Sequence, residues 1–114
     1  MASVLIVEDE ALIGMMIADM LVELGHTIAG QATGLATGVA LAQSTDAQAA
    51  ILDVALGSDS SEAIACVLQK RSIPFAFASG YGAAGVPQEF NERPLLRKPF
   101  TMEELAGCLR RLIG

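Results

Sequence analysis

Ala49-Ala50-Ile51-Leu52-Asp53 is a short apolar run closed by a carboxylate. A run of this length with no alternating polar residue suits a strand buried on both faces, and such strands belong to parallel sheets covered by helices. Similar short runs occupy residues 3–7, 27–31, 74–78 and 95–97. All are short enough to be central buried strands, and helical patterns separate them. Five repeats of strand and helix specify an α/β domain with one parallel sheet and helices on both faces.

The first helical pattern places Ile13, Met16, Ile17, Met20, Leu21 and Leu24 on one face and stops at Gly25, a suitable left-handed cap. The second spans about residues 35–43. The third is expected to begin after Asp59, whose carboxylate pairs in a capping-box pattern with Glu62 ahead of Ile64, Val67 and Leu68. The last repeats that device in Thr101 and Glu104, followed by Leu105, Leu109 and Leu112, with Arg110 and Arg111 near the negative end of its dipole. Between the fourth and fifth runs, Gly80, Gly82, Gly85 and Pro87 crowd the stretch before Phe90, so a short or mobile fourth helix is expected.

The 114 residues suit a single domain spanning 1–114, and 53% hydrophobic against 18% charged residues excludes intrinsic disorder. A net charge of −6 provides no broad basic surface, which argues against direct nucleic-acid binding. Asp19 and Glu23 interrupt the longest apolar stretch well short of a membrane span, and no signal peptide precedes Ser3, so a cytoplasmic protein without membrane attachment is expected. Cys66 and Cys108 lack ligand-like neighbours; Cys108 shares a stripe with Leu105, Leu109 and Leu112 and reads as core. His26 reads as a solvated loop side chain. No second composition regime follows the last helix, so no output domain is expected.

Ligands of such sheets gather at the carboxyl ends of the strands. There the first strand offers Glu8 and Asp9, the third Asp53, the fourth Ser79 and the fifth Lys98. Each carboxylate taken alone reads by default as a helix cap or a solvated loop residue. Together they repel one another unless a cation compensates them, and an all-oxygen site suits magnesium better than zinc. Lys98 and the Ser79 hydroxyl could hold phosphoryl oxygens. Asp53, fixed at the end of a buried strand, is the natural nucleophile, and its product would be an acyl phosphate.

These residues resemble the receiver domains of bacterial response regulators in two-component signalling, over essentially the whole chain. Val4-Leu5-Ile6-Val7-Glu8-Asp9-Glu10 is similar to the family's acidic first-strand motif, Ile51-Leu52-Asp53-Val54 to its phosphoacceptor strand, and Lys98-Pro99-Phe100 to its phosphate-sensing motif. The resemblance implies a CheY-like, flavodoxin-like doubly wound (βα)5 fold with strand order 2-1-3-4-5. It makes Asp53 the phosphoacceptor. It makes Glu8, Asp9, Asp53 and the backbone carbonyl of Ala55 ligands of Mg2+, Ser79 the switch hydroxyl, and the bond before Pro99 cis, aiming Lys98 at the phosphoryl group. It also implies a histidine kinase or histidine phosphotransfer protein as partner, no small-molecule substrate beyond phosphodonors, and a stand-alone or phosphorelay signalling module rather than an enzyme.

Two departures from the ordinary pattern stand out. Leu95 occupies the position of the usual aromatic switch. The stretch Pro74-Phe75-Ala76-Phe77-Ala78-Ser79-Gly80-Tyr81 instead resembles a subfamily with a Phe-Ala-Thr-Gly-x-Tyr signature, so Tyr81 and the glycine-rich segment are candidates for the moving part. Ala55 and Tyr81 supply no acid or amide to orient an attacking water, so slow self-dephosphorylation is expected. On the first helix, Ala11, Met15, Ala18 and Val22 form a second apolar stripe that, with Pro99, is a candidate for docking a helical partner; packing within the core is the other reading.

The competing readings each require something else. An aspartyl phosphatase needs a second carboxylate two residues after the nucleophile, where Ala55 stands. A flavin carrier needs a phosphate cradle after the first strand, where Glu8, Asp9 and Glu10 would repel phosphate. A degenerate receiver that only binds a partner is countered by the intact set of Glu8, Asp9, Asp53, Ser79 and Lys98.

Overall fold

In a computed structural model that describes residues 2–114, the chain runs β1 (Ser3–Val7), α1 (Ala11–Glu23), β2 (Thr27–Ala32), α2 (Leu35–Ser44), β3 (Ala49–Asp53), β4 (Ala55–Leu56), β5 (Asp59–Ser60), α3 (Glu62–Lys70), β6 (Phe75–Ser79), β7 (Leu95–Arg97) and α4 (Met102–Ile113). Five strands form one parallel sheet in the order β2-β1-β3-β6-β7, while β4 and β5 form a separate antiparallel hairpin. This is the expected doubly wound α/β architecture, and its strand order reverses between β1 and β3.

The alternating sides of the strands fill two cores. Leu5, Val7, Leu52, Phe75 and Phe77 pack with Ile64 and Leu68 of α3 and Ala42 of α2. Val4, Ile6, Ile51 and Ala76 pack on the opposite face with Ile17 and Leu21 of α1 and Leu105 and Leu109 of α4. Burial on both faces holds for β3 and β6 and for nearly all of β1. The outer strands β2 and β7 differ from the expectation: as sheet edges they alternate exposed or half-buried residues with more buried ones.

Where α2 crosses α3, Gly38 lets the helices approach so closely that an added Cβ would collide with the Ile64 side chain, with Val7 Cγ1 only 3.4 Å away. The Arg71 guanidinium donates to the carbonyls of Ala42 at 2.7 Å and Thr45 at 2.8 Å, satisfying the otherwise open C-terminal end of α2. The capping box on α4 forms as read: Glu104 N–H donates to Thr101 Oγ1 at 3.1 Å and Thr101 N–H to Glu104 Oε1 at 2.8 Å.

The capping box read at Asp59 does not form. Asp59 lies in β5, and α3 starts from Ser61 without a side-chain cap. Burial of Leu56 draws the chain into the hairpin, and the buried Ser61 hydroxyl donates instead to the Val54 carbonyl at 3.1 Å. The fourth helix is reduced to a single 3-10 turn, Gln88–Phe90. Its anchor is aromatic: the Phe90 ring meets Phe75 edge-on at 5.5 Å, Phe75 meets Phe77 at 5.6 Å, and Arg93 lies 4.3 Å above the Phe75 ring.

His26 is half-buried rather than solvated, and its Nδ1 accepts the Ala2 N–H at 3.0 Å. Cys108 is buried as expected and Cys66 half-buried; both are free thiols. No helix among the described residues is long and apolar enough to cross a membrane.

Gly38→Val should destabilise the protein by about 1–3 kcal/mol through overpacking against Ile64. Urea unfolding should show a lower midpoint at unchanged slope.

Candidate functional site

Strand register sets the site. Val7 pairs with Leu52, so Glu8 comes level with Asp53; Asp53 pairs with Ala78, one residue before Ser79; and Ser79 pairs with Arg97, one residue before Lys98. The Lys98 N–H donates to the Ser79 carbonyl at 2.8 Å, fixing the point where the chain leaves β7, and the Lys98–Pro99 bond is cis. The residues read from the sequence as one constellation therefore lie side by side at the carboxyl edge of four neighbouring strands.

Carboxylate oxygens of Glu8, Asp9 and Asp53 all lie within 4.8 Å of one another. Glu8 is buried, with Oε1 bonded to the Lys98 ammonium and Oε2 accepting the Glu10 N–H at 3.1 Å. Lys98 Nζ also stands 3.3 Å from Asp53 Oδ2, so one ammonium bridges two carboxylates. Burial alone would lower the Lys98 pKa, but hydrogen bonding and charge attraction to Glu8 and Asp53 outweigh it and raise it. Asp53 is pushed up to about 7, first by burial and then by the Glu8 charge, with Lys98 offsetting part of the rise. Asp9 is exposed. Its slight burial also acts upward, yet the Gly57 N–H, donating to Oδ2 at 3.0 Å, and hydrogen bonding with Glu8 and Asp53 hold it below the usual carboxylate range.

Above Asp53 opens a cleft of about 450 Å³, lined among others by Asp9, Ala55, Ser79, Tyr81 and Lys98. Ser79 is buried, and its hydroxyl oxygen accepts the Tyr81 N–H at 3.0 Å, leaving the hydroxyl proton free to donate. Tyr81 enters the arrangement through its backbone; its side chain is 86% exposed at the cleft mouth. Leu95 lies on the outer strand, partly exposed. The oxygen-only donor set suits a hard divalent cation such as magnesium.

The second stripe of α1 is only partly as read. Ala11, Met15, Val22 and Pro99 are exposed, but Ala18 is 8% exposed and faces the sheet, because the inward side of α1 is made by Gly14, Ile17, Ala18 and Leu21. Met16, read as inward, is instead 57% exposed, and Leu12 joins the outer ridge at 70%. Ile13, Met16, Ile17 and Met20 also wall an apolar groove of about 320 Å³ against Pro99 and Phe100. Sequence reading missed Gly57 and the hairpin that carries it. The signal was present, since Gly57-Ser58 between Leu56 and Asp59 is a two-residue hairpin pattern.

No protein-family model matches the chain, and no curated protein does. Among solved structures, SdrG from Sphingomonas melonis Fr1 is 42% identical, aligned over 100% of this chain and 98% of its own, with a TM-score of 0.89. SdrG has also been solved in a BeF3-activated conformation. The receiver domain of the PhyR response regulator from Erythrobacter litoralis is 27% identical over 97% of this chain and 88% of its own, with a TM-score of 0.82. The receiver domain of the sensor histidine kinase PA1611 from Pseudomonas aeruginosa PAO1, solved with magnesium in its active-site cleft, shares the fold at 23% identity, 99% and 98% coverage and a TM-score of 0.81.

The raised Asp53 pKa has a consequence for stability. The folded state binds the proton more tightly than the unfolded chain, so this contribution is fully present below the ordinary value of 3.8 and is lost as pH rises to about 7. The open cleft screens the charge and leaves about 1–2 kcal/mol of the effect. In EDTA, Asp53→Asn should therefore melt a few °C above the parent at pH 8, and the gap should close towards pH 4.

Proposed function

Because the chain belongs to the receiver domains of response regulators, we propose that it accepts a phosphoryl group on Asp53 from a histidine kinase or histidine phosphotransfer protein and acts as a stand-alone or phosphorelay signalling module. The observation that carries this reading is the convergence of Glu8, Asp9 and Asp53, with Lys98 bridging two of them beside the buried Ser79 hydroxyl. That set serves transfer of a phosphoryl group to a carboxylate, with a cation and Lys98 positioned for the charge.

Glu8, Asp9, Asp53 and the Ala55 carbonyl would hold magnesium, which when bound neutralises the crowded carboxylates and the incoming phosphoryl oxygens. The chain's own part begins with Asp53. One carboxylate oxygen attacks phosphorus; an O–P bond forms, the N–P bond of the phosphohistidine donor breaks, and the electron pair leaves with the imidazole. Lys98, already 3.3 Å from Asp53 Oδ2, holds a phosphoryl oxygen. Ser79 donates its free hydroxyl proton to another while still accepting the Tyr81 N–H. Ala55 at the rim and the outward phenol of Tyr81 leave attacking water without a protein group to orient it, which favours a long-lived acyl phosphate.

Intact-mass measurement after incubation with magnesium and acetyl phosphate should show one added phosphoryl group on the parent and none on Asp53→Asn. Introducing Asn at position 55 should hasten its loss. No mass gain on the parent would replace this reading with that of a receiver that binds its partner without phosphorylation.

The exposed apolar ridge of Leu12, Met15, Met16 and Val22 lies on α1, the helix whose Ile13 lines the cleft, and supports docking of a helical phosphodonor. Met15→Glu should slow transfer from a phosphorylated partner about tenfold or more, as expected of a buried interface anchor, while labelling by acetyl phosphate stays at the parent rate. Equal transfer rates would remove α1 from the docking surface.

A further inference from the structure

We propose that the backbone N–H of Gly57 is a positioning group for the metal-binding carboxylate of Asp9, delivered across the site by the β4–β5 hairpin; this rests on the magnesium reading above. Asp9 sits on the exposed turn after β1, where a carboxylate is free to rotate. The Gly57 N–H, from a residue 48 positions away, donates to Oδ2 at 3.0 Å, and an oxygen of the same carboxylate lies within 4.8 Å of those of Glu8 and Asp53. Hydrogen-bonded supports of this kind set the orientation and affinity of a metal-ligating carboxylate.

The hairpin is built to hold that donor still. Ala55 pairs with Ser60 and Leu56 with Asp59, and Leu56 is buried in the core. Ser61, fully buried, returns both its N–H and its hydroxyl to the Val54 carbonyl, at 3.2 and 3.1 Å. The same strap begins two residues after Asp53, so it ties Asp9, beyond the end of β1, to the end of β3.

Gly57 adopts φ +64°, and a Cβ built there meets nothing within 4 Å. The position therefore demands a left-handed backbone and not an absent side chain, which separates two substitutions of similar reach. Asn tolerates that conformation, whereas a β-branched Val strongly disfavours it.

The test is titration of the full chain with MgCl2 alone, followed by amide NMR shifts, with melting in EDTA to show that each variant folds. Gly57→Val should bind magnesium about tenfold more weakly than the parent, and Gly57→Asn should bind as the parent does. Should the Val variant fail to fold, Gly57→Ala carries a milder form of the same backbone penalty and should fall between the two. Parent-like affinity in a folded Val or Ala variant, or an equal loss in Asn and Val, would overturn the proposal. A parent that binds no magnesium would overturn the metal reading itself and this inference with it.

Discussion

The structure depends on how it tolerates three carboxylates within 4.8 Å at the end of an apolar sheet. Repulsion among them is relieved by the Lys98 ammonium, held between Glu8 and Asp53. A buried ion pair of this kind contributes little net stability, since desolvation consumes most of the attraction, but removing one partner leaves an uncompensated charge. The fold must therefore keep Lys98, at the end of β7, in register with β3 two strands away and β1 three strands away. Continuous burial of β3 and β6, with the Lys98 N–H to Ser79 carbonyl bond at their far side, gives it that rigidity.

The two faces of the sheet divide the work. On one, Gly38 allows α2 and α3 to pack closely, and the cluster of Phe75, Phe77 and Phe90 takes over the role that a fourth helix would have had. On the other, α1 covers the sheet with Gly14, Ile17, Ala18 and Leu21 and leaves a hydrophobic ridge outside. Burying that ridge would add no core contact, because the sheet beneath α1 is already covered.

The strands and the polar residues that close them were legible in the sequence because burial on both faces forces an uninterrupted apolar run, and the first non-apolar residue marks its end. Asp53, Glu8 and Ser79 are legible that way; Lys98 follows Arg97 on a partly exposed edge strand and is legible through the Lys98-Pro99-Phe100 motif instead. The two sides of α1 were not separable, since a helix apolar on nearly every side has no stripe to read and only docking decides that Ala18 turns inward and Met16 outward. Asp59 carried two valid local signals, a cap with Glu62 and a hairpin around Gly57-Ser58. The hairpin prevailed through tertiary terms, the burial of Leu56 and the commitment of Ser61 to Val54. His26 was misread for a similar reason: its partner, the Ala2 N–H, is distant in sequence.

The same organisation makes the two flanks of Asp53 mechanically unequal. Towards β1, the hairpin is braced by its own pairing, by buried Leu56 and by Ser61, so moving it means breaking buried hydrogen bonds together. Towards β6, residues 80–85 cross the cleft mouth with no α-helix behind them, and the next fixed points are Val86 against the core and the buried Phe90. Segments with few buried contacts open at the lowest free energy. A charge placed on Asp53 would therefore meet a stiff wall where Asp9 is braced and a yielding one beside Ser79. In a chain with Leu95 at the usual aromatic position, the yielding wall is where a change of shape costs least.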